Sequence, residues 1–247
     1  MKLRRNFPRV HPMLPAAFLI FLATTLGAIA LPAQGSPDLQ ARVAELKESQ
    51  AKNKQALAQY SWEETVKISL KGEDKKTEHF EVHQGPDGKP VKTSLDQPAA
   101  PPQEQSGGRG GRLKQHVVEK KKEEYKDYAD KMKELAQHYV PPDKDDIQAA
   151  YAKGNISLNP AGDGVTKLVI HDYYKPGDSM TLTIDKAQKQ LQSIAIASWM
   201  DDPKDVMNLT VGFGRLPDGT NHVATVTIDG VAKQLTVNTT NSDYKKL

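Results

Sequence analysis

Residues 179–185, Ser179-Met180-Thr181-Leu182-Thr183-Ile184-Asp185, set three large apolar side chains at every second position, with threonine between them. Only an extended chain puts alternate residues on one face, so this stretch reads as a half-buried β-strand. The same period recurs through the C-terminal part of the chain. Ile194 and Ile196 keep it, then Met207, Leu209, Val211 and Phe213, then Ala224, Val226 and Ile228, then Leu235 and Val237. Polar partners separate the members of each set, and short turns such as the one expected at Asp229-Gly230 separate the sets. From Ile156 onward the chain therefore predicts an antiparallel meander with one apolar and one wet face.

Towards the N-terminus the same alternation returns once. Val66, Ile68 and Leu70 interleave with Thr65, Lys67 and Ser69 after Trp62, which predicts a strand to Leu70. A turn over 72–76 leads to a return strand with Phe80 and Val82 on one face and His79, Glu81 and His83 on the other. Pro86-Asp87-Gly88 makes the next turn, before a strand over 91–95. Two helical patterns stand between the halves. Tyr125, Tyr128, Met132, Leu135 and Tyr139 share one face of a helix expected over 113–139, with pairs such as Asp127 and Lys131 on its solvent side and Pro141-Pro142 ending it. A shorter helix over 144–153 has Gly154 as its C-terminal cap. Ser36-Pro37 opens an earlier helix, expected over 37–59, whose apolar spacing begins at Leu39, Val43 and Leu46.

The segment over 96–112 holds no apolar residue larger than alanine or proline and is read as a flexible loop. Its Gly107-Gly108-Arg109-Gly110-Gly111-Arg112 run is a connection, not a nucleic-acid-binding repeat. Residues 1–35 place Lys2, Arg4, Arg5 and Arg9 before an apolar run over 15–30, the pattern of a cleaved secretory signal peptide. That run is shorter than the roughly twenty residues a spanning helix needs, so no transmembrane segment is expected after cleavage. Of 34 basic residues the leader takes four, leaving 30 against 31 acidic ones in residues 36–247. Such a balance implies no basic face of the kind that binds nucleic acid by counterion release, and no nucleic-acid partner is expected. With no cysteine, the exported chain is stabilised by its core, without disulfides, and has no thiol nucleophile. The expected location is the periplasm or the secreted medium.

Strands in both halves with helices between them predict one α+β domain over 36–247. Its sheet is a curved antiparallel half-barrel with the helices covering the concave face. In this order of elements the chain resembles the superfamily of periplasmic lipoprotein carriers (LolA-like) and, more closely, a group of uncharacterised exported bacterial proteins. The stretches that carry the likeness are Gln59-Tyr60-Ser61-Trp62, Lys175-Pro176-Gly177-Asp178-Ser179-Met180, Asp201-Asp202-Pro203-Lys204-Asp205, Leu216-Pro217-Asp218-Gly219-Thr220 and Thr240-Asn241-Ser242-Asp243-Tyr244. The resemblance implies an apolar cavity between sheet and helices that receives acyl chains. Its expected lining or core is Trp62, Val66, Ile68, Tyr128, Met132, Leu182, Ile196 and Leu209.

No catalytic motif accompanies this pattern. Neither a nucleophile-elbow turn, a phosphate-binding loop nor a zinc-helix motif occurs, so neither an enzyme nor a cofactor is expected. His79, Glu81 and His83 share a strand face, but the outer two lie roughly 13 Å apart, too far for all three to hold one metal ion; two of them with a ligand from a neighbouring strand could do so, and a solvated polar face is the expectation. Asp201, Asp202 and Asp205 lack the glycine and distal glutamate of a calcium loop and read as a strand connection. The expected function is non-catalytic binding of a lipid or other hydrophobic ligand. The alternative is a cell-envelope interaction or sensor module with a filled core, docking a protein partner through the 96–112 loop.

Overall fold

The computed structural model describes residues 52–96, 109–162 and 164–247. The leader and most of the helix expected over 37–59 lie outside them, as does most of the 96–112 loop. The described strands are β1 (Tyr60–Leu70), β2 (Glu73–Gln84), β3 (Pro90–Ser94), β4 (Ile156–Pro160), β5 (Val165–His171), β6 (Ser179–Asp185), β7 (Gln190–Trp199), β8 (Val206–Arg215), β9 (Asn221–Gly230) and β10 (Leu235–Lys246). Helices α1 (Arg109–Gln137) and α2 (Lys144–Ala152) stand between β3 and β4.

All these strands join one open antiparallel sheet in the order β3-β2-β1-β10-β9-β8-β7-β6-β5-β4. The first strand lies beside the last, and β3 and β4 become the two edges. The α1–α2 segment must therefore carry the chain from one edge of the sheet to the other. This is the open half-barrel α+β class that the alternating sets predict.

The register lines the inward side chains up in rows across the sheet. One row runs Ile170, Met180, Ile196, Leu209, Ile228, Val237, Ile68. The next, one pleat lower, runs Leu168, Leu182, Ile194, Val211, Val226, Thr239, Val66. Most of both rows is less than a tenth exposed and belongs to one hydrophobic cluster. Each row exists because every strand contributes one apolar residue per two, the period read from the sequence.

The second half of α1 packs on this face. Met132 and Tyr139 are fully buried, and Tyr128, Leu135 and Ala136 are nearly so. Gly230, expected in a turn, is instead the last residue of β9 and the point of closest approach. A Cβ there would run into the Tyr128 ring and lie 2.7 Å from Met132 Sδ. The β7–β8 connection grips the polar side of the helix: Tyr128 donates to Asp205 Oδ1 at 2.6 Å and Lys131 Nζ reaches Asp201 Oδ2 at 2.5 Å. Lys131 thus serves a cross-element pair with Asp201, where the spacing predicted one with Asp127. Glu124 pairs with Lys233 beyond β9.

Beyond α1, Asp178 closes the structure. This carboxylate is 2 % exposed and accepts from Tyr139 Oη at 2.5 Å and from the backbone N–H groups of Tyr173, Tyr174 and Lys175. Ser198 Oγ lies 2.6 Å from the same phenol. Burial first, then the Asp178 hydrogen bond, push the Tyr139 phenol well above its usual range. At α2, Asp143 caps the N-terminus by accepting from Asp145 N and Asp146 N.

Three boundaries differ from the sequence expectation. Helix α1 starts at Arg109, so residues 109–112 are helical and not part of the loop. Extending a formed helix adds one hydrogen bond per residue, which offsets the cost of about 1 kcal/mol for each of Gly110 and Gly111. The β1–β2 turn is only Lys71 and Gly72, both at positive φ, the two-residue hairpin geometry, and not the longer 72–76 turn. The early helix ends at residue 57, and Tyr60 opens β1. No helix among the described residues is long and apolar enough to cross a membrane.

Substituting Gly230→Ala is expected to destabilise the fold by about 1–3 kcal/mol, because the methyl overpacks the α1 contact; urea unfolding with an unchanged m-value checks this. Tyr139→Phe leaves Asp178 buried with one donor fewer, and a loss of about 1–3 kcal/mol is expected in the same measurement.

Candidate functional site

Of the eight residues singled out from the sequence, the structure gathers six beneath or on α1. Val66, Met132 and Leu209 are fully buried, and Leu182, Ile196 and Tyr128 are at most 8 % exposed, all in one packed cluster. Ile68 packs against that cluster from a partly buried position. Trp62 stands apart, two pleats below Val66 at the opposite end of β1 from the turn at Lys71.

The inward side chains change character at that lower end. Below the filled rows comes a further one formed by Ile184 and Leu191 on β6 and β7, Phe213 and Val223 on β8 and β9, and Asn241 and Glu64 on β10 and β1. Its apolar members Ile184, Leu191, Phe213 and Val223 are all only partly buried, in contrast to Leu182, Ile194, Val211 and Val226 immediately above. Register shifts fall beside this row, between Thr183 and Ile184, between Gly212 and Phe213, and between Ser61 and Glu63. Bulges bend and twist the strands that carry them, so the sheet changes course where its apolar face opens.

An aromatic group closes the β1–β10 side of the row. Trp62 stacks on Tyr244 with centroids 5.5 Å apart, Tyr60 meets Tyr244 edge-on, and the His222 ring lies 4.2 Å from it. Tyr60 donates to Asp218 Oδ2 at 2.6 Å, and that bond, with those from Thr220, lowers the Asp218 carboxyl to about 2. The helical residues 52–57 are tied to this rim, since Asn53 bonds Asn221 through both its amide oxygen and its amide nitrogen.

Polar groups also sit on the inward face here. Glu64, 7 % exposed, pairs with Lys92 of β3, whose side chain is itself 12 % exposed. One and two pleats higher, opposite Val66 and Ile68, Glu78 and Lys76 form a second pair, with Lys76 Nζ 2.7 Å from Glu78 Oε1. The buried side-chain atoms without a hydrogen-bond partner among the described residues are Trp62 Nε1, Glu78 Oε2, Thr166 Oγ1 and Asn241 Oδ1. By register all of them lie on the apolar side of the sheet: Trp62 opposes Val82, Glu78 opposes Val66, Thr166 opposes Ile184 and Asn241 opposes Glu64. An unpaired buried polar atom costs about 1–3 kcal/mol, and a buried ion pair does little better than break even against apolar packing. Stability alone therefore does not account for this cluster.

Sequence reasoning missed Glu64, Lys92, Asn241, His222 and Tyr244. One signal was readable: Glu64 occupies the inward phase shared by Trp62, Val66 and Ile68. The others depend on which strands become neighbours.

The remaining candidates are placed elsewhere. His79 and Glu81 are exposed on the outward face of β2, with His83 partly buried, and His79 Nδ1 lies 3.2 Å from Thr65 Oγ1. Among the described residues no three histidine or carboxylate side chains gather as a metal site. Asp201 and Asp205 hold α1, while Asp202 accepts from Lys204 N within its own loop. A cleft of about 210 Å³ between α1 and that loop is lined by Glu124, Lys131, Asp201 and Lys233, whose charges already pair with one another.

No protein-family model matches the chain, and no curated protein matches it. Two solved structures are similar to it. One is a DUF1329 family protein from Desulfovibrio piger ATCC 29098, 13 % identical, with a TM-score of 0.39 over 82 % of this chain and 92 % of that one. The other is a domain assigned to outer membrane lipoprotein sorting, from Vibrio parahaemolyticus, 8 % identical, with a TM-score of 0.36 over 82 % of this chain and 91 % of that one.

Burial lowers the His222 pKa, against a smaller opposing effect of its bond to the Val223 carbonyl. The unfolded chain then binds a proton at this ring more readily than the folded one. The His222 contribution to stability is present above about pH 6.5 and is lost as pH falls through the depressed folded value. Thermal unfolding between pH 8 and 5 is expected to show this slope, and His222→Phe to reduce it.

Proposed function

We propose that the protein is an exported, non-catalytic carrier of a lipid or similar acyl ligand, held against the lower part of the inward sheet face. One observation supports this reading above others: the row Ile184, Leu191, Phe213, Val223 stays partly open directly beside rows that are filled. A domain with enough apolar residues to seal two rows leaves the next accessible to an apolar partner. From β6 to β9 its apolar members cross three inter-strand spacings, about 14 Å, the length scale of a medium-length acyl chain. Each methylene buried there contributes about 0.8 kcal/mol, so partial cover of a long chain is enough for stable binding. The packed cluster that holds Met132 of α1 and Leu182 of β6 forms the wall behind the ligand, and Trp62 flanks one end. No cofactor enters this reading. Residues 1–35 supply the route of export, and the site of action is the periplasm or cell envelope.

Native mass spectrometry tests the reading on protein purified from a bacterial envelope without detergent, before and after solvent extraction. A removable adduct of lipid mass is expected. Replacing Leu191 and Phe213 together by aspartate is expected to lower uptake of added fatty acid at least tenfold while the fold persists, as judged by circular dichroism. A bare polypeptide that takes up neither fatty acid nor phospholipid overturns the carrier and favours an envelope module that binds proteins.

A further inference from the structure

The polar cluster on β1, β2, β3 and β10 lies at one end of the open apolar row, and its chemistry is specific. Glu64 is more than nine-tenths buried and neutralised by Lys92, and Glu78 by Lys76. The cluster therefore has no net charge to offer an ion. What it has unmet beside that row is one donor, Trp62 Nε1–H, and one acceptor, Asn241 Oδ1; the unmet Glu78 Oε2 lies one pleat higher, in the row of Val66. Asn241 lies directly across from Glu64, and Trp62 flanks Glu64 on its own strand. Trp62 and Asn241 stand one pleat and one strand spacing apart, about 8 Å, so a group of small-molecule size reaches both.

We propose that this cluster is a headgroup subsite for an amphiphile whose polar end is neutral and bears hydroxyl or amide groups, such as an acylglycerol. The proposal rests on the carrier reading, since the row beside the cluster must hold the chain. A hydroxyl or primary amide both donates and accepts, which matches an unmet set of one donor and one acceptor. A carboxylate or phosphate could answer only Trp62 and would face the oxygens of Glu64 and Asn241. An alkylammonium without N–H groups could answer neither. Selectivity of this kind follows from leaving buried polar atoms unpaired with the wrong ligand.

Calorimetric titration of the full processed chain after solvent extraction tests the assignment, with three probes that share a twelve-carbon chain and stay below their micellar concentrations. These are monododecanoylglycerol, dodecanoate and dodecyltrimethylammonium. The glycerol ester is expected to bind about tenfold tighter than either ion. Trp62→Phe, which keeps an aromatic ring but removes the donor, and Asn241→Ala are each expected to narrow that ratio about fivefold, the effect of one hydrogen bond to a neutral group. Equal affinities for the three probes, or a ratio that survives both substitutions, overturn the headgroup subsite and leave the carrier standing. Failure of every probe to bind overturns the carrier reading and the subsite with it.

Discussion

The pairing of β1 with β10 is the constraint on which the rest of the structure depends. It runs from Tyr60 opposite Lys246 to Leu70 opposite Leu235 and joins strands from opposite ends of the described chain. Without it, β1, β2 and β3 would be a small isolated ribbon, a form only marginally stable in water. With it, the meander of β4 to β10 gains three more strands, and the inward rows continue unbroken from Ile170 to Ile68. The same pairing makes β3 and β4 the sheet edges and so obliges the intervening segment to carry the chain between them.

That traverse decides how the inward face is divided. The second half of α1 meets the sheet near the Gly230 end of β9, where glycine admits Tyr128 and Met132; Asp205 anchors Tyr128 of the helix, and Asp178 anchors Tyr139 just past its end. A helix covers a band about 10 Å wide, and six of the described strands run ten residues or more. The row at the far end from Gly230 is the one left partly open.

Energetics separate the two regions. At the end where Tyr139 packs, the buried Asp178 carboxylate is fully satisfied, by three backbone donors and one phenol. At the lower end the fold tolerates a buried ion pair, a bare indole N–H and a bare amide oxygen within a few residues of one another. Burial of this kind has no stabilising purpose of its own. Bulges flank it and turn the strands where the chemistry of the inward face changes.

The amino-acid sequence by itself determined what depends on neighbours a few residues apart. The alternation in Met180, Leu182 and Ile184, the helical stripe from Tyr125 to Tyr139 and the glycine after α2 each name their element, because strand and helix periods are local properties of the backbone. The inward phase of Glu64 was legible in the same way, although its meaning was not. Tertiary structure alone decided that β1 lies beside β10, that Lys131 reaches Asp201, that Gly230 seats a helix, and that Glu64, Lys92, Trp62 and Asn241 share one corner. Those contacts join residues far apart in the chain, and their free energy is realised only when the whole sheet has formed; no local pattern records it.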